Sequence, residues 1–159
     1  MSTISAMAEA GGDPLYRLLA WLSPAYPVGA FSYSHGVETA VEEGFITDRV
    51  SLIAWLESVL ERGTGLVDGA LFAAAWRAVD AGDWPTFDAV AERAAAWRGT
   101  SEMALESRQQ GGSFLSITRT AWPHPALDTG HGRCGGELAL PVAVALAAAV
   151  QVAAVGAAV

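Results

Sequence analysis

The stretch Asp48-Arg-Val-Ser-Leu-Ile-Ala-Trp-Leu-Glu-Ser-Val-Leu-Glu-Arg-Gly63 carries its own helix punctuation. Asp48 offers a carboxylate to the first-turn N–H groups, Leu52, Leu56 and Val59 fall on one stripe that Ile53 and Leu60 widen, and Gly63 follows the last turn. The period is helical. Nowhere in the chain does strict apolar and polar alternation persist long enough to predict a strand. The fold class is therefore all-α, a single-domain antiparallel helical bundle of about six to eight helices, because short connections favour antiparallel neighbours.

Downstream, the apolar stripe Leu71, Phe72, Ala75, Trp76 and Val79 ends at Ala81-Gly82, and Asp83 with Pro85 opens a run toward Trp97. From Ser101 a longer pattern passes through Met103, Phe114, Leu115 and Ile117 to Trp122, with Gly111-Gly112 predicting a close contact or a kink. Residues 123–136, rich in Gly and Pro, read as the one long loop. Upstream, Asp13 and Pro14 start a short amphipathic helix with Leu15, Leu18, Leu19 and Leu22, stopped by Ser23-Pro24. Pro24 to Gly29 reads as a rigid connector, and helix is expected to resume after Gly29 and run to about Glu43, before Gly44. Residues 1–12 read as a disordered tail, leaving 13–159 as the domain.

Six Trp and 52% hydrophobic residues in a chain of 159, against 16% charged, describe a chain that buries more than one face. A net charge of -8 repels phosphate backbones and anionic lipid surfaces, so nucleic acid and membrane are not expected partners. A single cysteine, Cys134, forms no intrachain disulfide and suits a reducing, cytoplasmic setting. The N-terminus shows no secretion signal, since Glu9, Asp13 and Arg17 interrupt its apolar stretch. Residues 138–159 carry no charge over a length that could span a bilayer, but ten of them are Ala, with Pro141, Gln151 and Gly156 interrupting. A buried helical hairpin or one long core helix is the expectation, with a small membrane-associated helical protein as an alternative. The uncapped, apolar end at Val159 reads as a chain cut off inside an element.

Ser32, Ser34 and Cys134 are the candidate nucleophiles, and His35, His124 and His131 the candidate bases; none stands in a nucleophile motif. A chain without lysine has no phosphate-binding Gly-x-x-x-x-Gly-Lys loop. His124, His131 and Cys134 are weak candidates for a soft metal such as nickel, short of the four ligands a closed site needs, and a direct nickel carrier using them is a second alternative function. Glu102 and Glu106, spaced i, i+4, read as a solvated stripe or a binding surface, and Arg98 and Arg108 are possible partners for Glu106.

Pro27-Val-Gly-Ala-Phe-Ser-Tyr-Ser-His-Gly-Val-Glu38 is the most specific segment. Pro27 and Gly29 set a tight backbone, Ser32 or Ser34 can cap a helix, and Phe31, Tyr33, His35 and Glu38 project from its first turns, with Gly36 permitting close approach. Caps, glycine and aromatics crowded together predict a packed joint, within the chain or between chains.

With the preceding Leu18-Leu-Ala-Trp-Leu-Ser-Pro-Ala-Tyr26, this segment resembles the N-terminal signature of the UreF family of urease accessory proteins. Ala40-Val-Glu-Glu-Gly44, the run Thr100 to Gly111 with Glu102, Glu106 and Gln110, and Phe114-Leu115 are similar to its later stretches, over residues 15–122, with a fainter echo in Leu140 to Leu146. The resemblance implies an all-helical, non-catalytic chaperone, often a homodimer, which binds UreD (also called UreH) and through it the GTPase UreG. That complex delivers nickel to apo-urease, so GTP belongs to UreG and no cofactor to this chain. It also implies a further C-terminal stretch that this sequence lacks, and that Pro27 to Glu38 and Glu102 to Gly111 help to build the partner surfaces.

Overall fold

The structure is a computed structural model and describes residues 14–30, 34 and 36–152. Its helices are α1 Pro14–Trp21, α2 Val37–Glu42, α3 Arg49–Arg62, α4 Thr64–Asp80, α5 Trp84–Ala96, α6 Ser101–Ala121, α7 Pro125–Arg133 and α8 Leu140–Gln151. Among the described residues there is no strand, and the all-α expectation holds. Local chemistry starts three of these helices where the sequence predicts. Asp48 accepts from the Ser51 N–H at 2.8 Å while the Ser51 hydroxyl accepts from the Asp48 N–H at 3.0 Å, a reciprocal cap on α3. Asp83 accepts from the Thr86 N–H at 3.1 Å for α5, and Thr100 from the Met103 N–H at 3.2 Å for α6.

The centre of the bundle is α8. Val142, Ala143, Ala145, Leu146 and Ala147 are fully buried, with α4 and α6 packed most extensively on them and α5 and α7 completing the wrap. A helix apolar on every side needs such cover, and its alanines let neighbouring backbones approach closely. Among the described residues no helix is long and apolar enough to cross a membrane. Residues 138–152 thus follow the core-helix expectation, and residues 153–159 lie outside the described residues.

Three expectations are corrected. Residues 123–136 are mostly helix, not a loop: the His124 ring nitrogen caps α7 by accepting the Ala126 N–H at 3.2 Å, and Pro125 occupies its first turn. Leu127 is fully buried, and a Cβ on Gly130 would meet Leu146 at 2.5 Å, so this glycine serves packing. The helix expected from Gly29 to about Glu43 is interrupted at Ser34 and Gly36, while residues 31–33 and 35 lie outside the described residues; α2 begins at Val37, after Gly36 at φ +82°, and the Ser34 carbonyl accepts the Val37 N–H in place of a side-chain cap. The stripe of α3 is not core. That helix has no buried residue and packs chiefly on α4, leaving Ile53, Leu56 and Leu60 exposed to solvent.

The connector after α1 is pinned from beneath. Trp21 stands edge-on to Phe114 and Trp122, with centroids 5.7 and 6.1 Å away, and the Tyr26 ring lies 5.4 Å from Phe114. The Tyr26 hydroxyl is 2.8 Å from Thr118 Oγ1, which donates to the Phe114 carbonyl at 2.7 Å. These contacts hold the connector against the C-terminal end of α6, and it ends at Ala30, beside Met103 to Gln110 of the N-terminal half and Leu140 at the start of α8.

Candidate functional site

Ala30, Thr64, Asp68, Arg98, Met103, Glu106, Ser107, Gln110 and Leu140 enclose a cleft of about 240 Å³. Five segments meet there, all but the adjoining Arg98 and α6 distant from one another in sequence. α4 supplies Thr64 and Asp68 from its first turns, Arg98 follows α5, and Met103, Glu106, Ser107 and Gln110 repeat at helical spacing on one side of α6. Leu140 opens α8, and Ala30 ends the connector.

Polar contacts tie these elements together. Arg98 Nη2 lies 2.9 Å from Asp68 Oδ1, and Nη1 donates to Oδ2 at a long 3.5 Å. The Arg98 side chain is only 9% exposed and that of Asp68 37%. Ser107 Oγ accepts from Arg98 Nη2 at 3.0 Å and from the Leu140 N–H at 3.3 Å, so one hydroxyl links the ion pair to the first turn of α8. Arg98 Nε is buried without an acceptor. The buried Gln110 donates to Glu106 Oε1 at 3.0 Å. Gly111 has no room for a side chain: a Cβ would lie 2.0 Å from the Leu138 carbonyl oxygen. Of the two predicted causes of the Gly111-Gly112 pair, close contact is the one observed, and α6 runs on through both.

The sequence-predicted residues divide between this cleft and other places. Glu106 and Gln110 line it, Gly111 follows Gln110 on α6 against the backbone of residues 138–140, and Glu102 is exposed in the first turn of α6. Hydrogen bonds from its own N–H, Thr100 and Ser101 hold the Glu102 carboxyl below the usual range. Pro27 and Gly29, the latter at φ +79°, are exposed in the connector that ends in the cleft. Ser34 is half-buried, a Cβ on Gly36 would approach the Trp55 ring at 3.7 Å, and Glu38 is exposed on α2. Phe31, Ser32, Tyr33 and His35 lie outside the described residues. Arg98 pairs with Asp68, and Arg108 with Glu137 at 3.6 Å, so neither takes the Glu106 partnership considered from spacing.

Asp68 and Ser107 escaped the sequence reading, and Arg98 entered it only as a possible partner for Glu106. The available signal was Asp68 itself, a carboxylate set between Val67 and Gly69 in an otherwise apolar run; its partner lies thirty positions away.

His124, His131 and Cys134 do not form one ligand set. His124 caps the start of α7, about 14 Å of helix away from Cys134 just past its end. Cys134 lines a separate cleft of about 290 Å³ with Asp88, Arg108, Arg133 and Glu137. Burial pushes its thiol up, and Asp88 adds to that while Arg133 opposes it. Among the described residues no group of three or more His, Cys, Asp or Glu is placed to hold a metal ion.

The family model for UreF matches residues 46–159. A urease accessory protein UreF of Rhodopseudomonas palustris (strain HaA2) is 49% identical over 148 residues, covering 93% of this chain and 62% of that protein. The Granulibacter bethesdensis protein of the same name is 45% identical over 144 residues, 91% of this chain and 61% of its own length. That of Methylorubrum populi reaches 52% over 132 residues, 83% and 59%. The chain thus spans about three fifths of the length of the curated relatives it matches.

Proposed function

The chain belongs to the UreF family of urease accessory proteins, and on that premise we propose that it serves urease maturation as a non-catalytic scaffold. In this reading it binds UreD (UreH), recruits the GTPase UreG through it, and so assists GTP-dependent nickel insertion into apo-urease in the cytoplasm. It holds no cofactor of its own, nickel and GTP being handled by the assembly, and it pairs with a second copy.

The observation that carries the proposal is the meeting of two separately recognised segments. The connector from Pro27 and the α6 residues Glu106 and Gln110 border one cleft, and a polar network beneath it fixes α4, α6 and α8 relative to each other. Such a shape is suited to docking a protein. The absence of lysine, and with it of a phosphate-binding loop, supports assigning nucleotide hydrolysis to a partner.

Affinity capture tests the proposal. The chain, co-expressed with UreD and UreG, should retain both on a column, with the R. palustris relative as a parallel control. If the relative assembles and this chain does not, the scaffold role is wrong for it.

A further inference from the structure

We propose that the cleft bordered by Ala30, Asp68, Arg98 and Glu106 is a subsite that takes a peptide group from a protein partner, with the Arg98–Asp68 pair maintained for recognition. The inference rests on the scaffold reading and goes beyond it by naming the pocket and the chemistry it selects.

A buried ion pair is weak evidence of a stability role, because well-packed apolar residues of similar volume serve a fold as well or better. The Arg98 guanidinium is nine-tenths buried, and its Nε–H has no acceptor. An unsatisfied buried donor is unfavourable unless something completes it. The group stands in the wall of a cleft of about 240 Å³, room for a single side chain or peptide unit.

The lining selects the ligand. Arg98 offers a donor, while Asp68 and Glu106 offer acceptors, since Glu106 spends one oxygen on Gln110 and a carboxylate has capacity beyond that. A free anion would meet two carboxylates against one guanidinium, and a free cation would meet the guanidinium. An amide matches both halves, its C=O facing Arg98 and its N–H facing a carboxylate. Ala30, Met103 and Leu140 supply apolar contact for the adjoining carbon atoms, and Met103 stands partly exposed. The occupant is a backbone amide, or an Asn or Gln side chain, on a protruding segment of the protein that this chain scaffolds.

The test uses the whole chain with UreD and UreG, measuring UreD affinity alongside thermal melting. Asp68→Leu combined with Arg98→Met removes the polar wall while keeping bulk, and Ala30→Trp narrows the mouth from an exposed position. Both variants should melt near the wild type yet bind UreD about tenfold or more weakly. Binding within about twofold of wild type by both refutes the subsite and leaves the scaffold role intact. Should the double variant fail to fold, Ala30→Trp alone decides by the same criterion. A wild-type chain that captures no UreD removes the scaffold reading and this one with it.

Discussion

Substituting alanine at Gly111 and at the adjacent Gly112 should change stability in opposite directions. A Cβ on Gly111 would lie 2.0 Å from the Leu138 carbonyl oxygen and 2.8 Å from both the Ala139 carbonyl carbon and the Leu140 nitrogen. All three are backbone atoms, so α6 and residues 138–140 must separate by about 1.5 Å to reach ordinary van der Waals distance. Overpacking of this kind costs up to about 3 kcal/mol. The displacement also strains the Leu140 N–H to Ser107 hydrogen bond, contributing about 1 kcal/mol. Replacing a helical glycine by alanine returns about 1 kcal/mol, leaving a net loss near 3 kcal/mol. At about 2 to 4 °C per kcal/mol, Gly111→Ala should lower the melting midpoint by roughly 6 to 12 °C. At Gly112 the nearest atom is the Gly136 carbonyl oxygen at 3.5 Å, an ordinary contact. Helix propensity then dominates, and Gly112→Ala should raise the midpoint by about 2 to 4 °C. Circular dichroism melts of both variants decide the matter. A Gly111→Ala protein as stable as wild type would refute the close approach, and equal losses at the two positions would refute the assignment of contact to one glycine.

Leu60→Gln on the exposed face of α3 should shift stability by no more than about 0.5 kcal/mol, while Leu127→Ala on α7 should lose about 2 to 5 kcal/mol; chemical denaturation separates them. Tyr26→Phe removes the phenol that meets Thr118 and should cost about 1 kcal/mol in the same assay. Backbone and side-chain hydrogen bonds from Ser51 hold the Asp48 carboxyl below its ordinary value, so its contribution is complete above the unfolded value and lost as pH falls from about 4 through the folded one. Asp48→Asn should therefore flatten the acid limb of the stability profile, read from melting midpoints between about pH 2 and 6. Equilibrium dialysis against nickel should give the same binding curve for wild type and Cys134→Ala; loss of a stoichiometric site in the variant would revive the carrier reading.

Much of the fold was legible because helix ends are written locally. Asp48, Asp83 and Thr100 accept from N–H groups three positions on, and such contacts are encoded by adjacent residues. The apolar run from Leu138 likewise announced a helix needing cover on all sides. Less of the candidate site was legible. Glu106, Gln110 and Gly111 were singled out and Arg98 was considered only as a partner for Glu106, whereas Asp68 and Ser107 were not considered.

The sequence by itself determined the helical class, most helix starts, the buried character of α8 and the family. Only the tertiary structure decided which apolar stripes became core. α3 has the stronger local credentials, a capped apolar stripe against the Gly- and Pro-rich segment of α7, yet α8 passes beside Leu127 and Gly130 while α3 meets chiefly α4. It also decided that Arg98 answers Asp68, and that Ser107 reaches across 33 positions to Leu140. Caps and periodicity act over one or two turns, but a cleft is made where distant segments meet, and which segments meet depends on the packing of the whole chain.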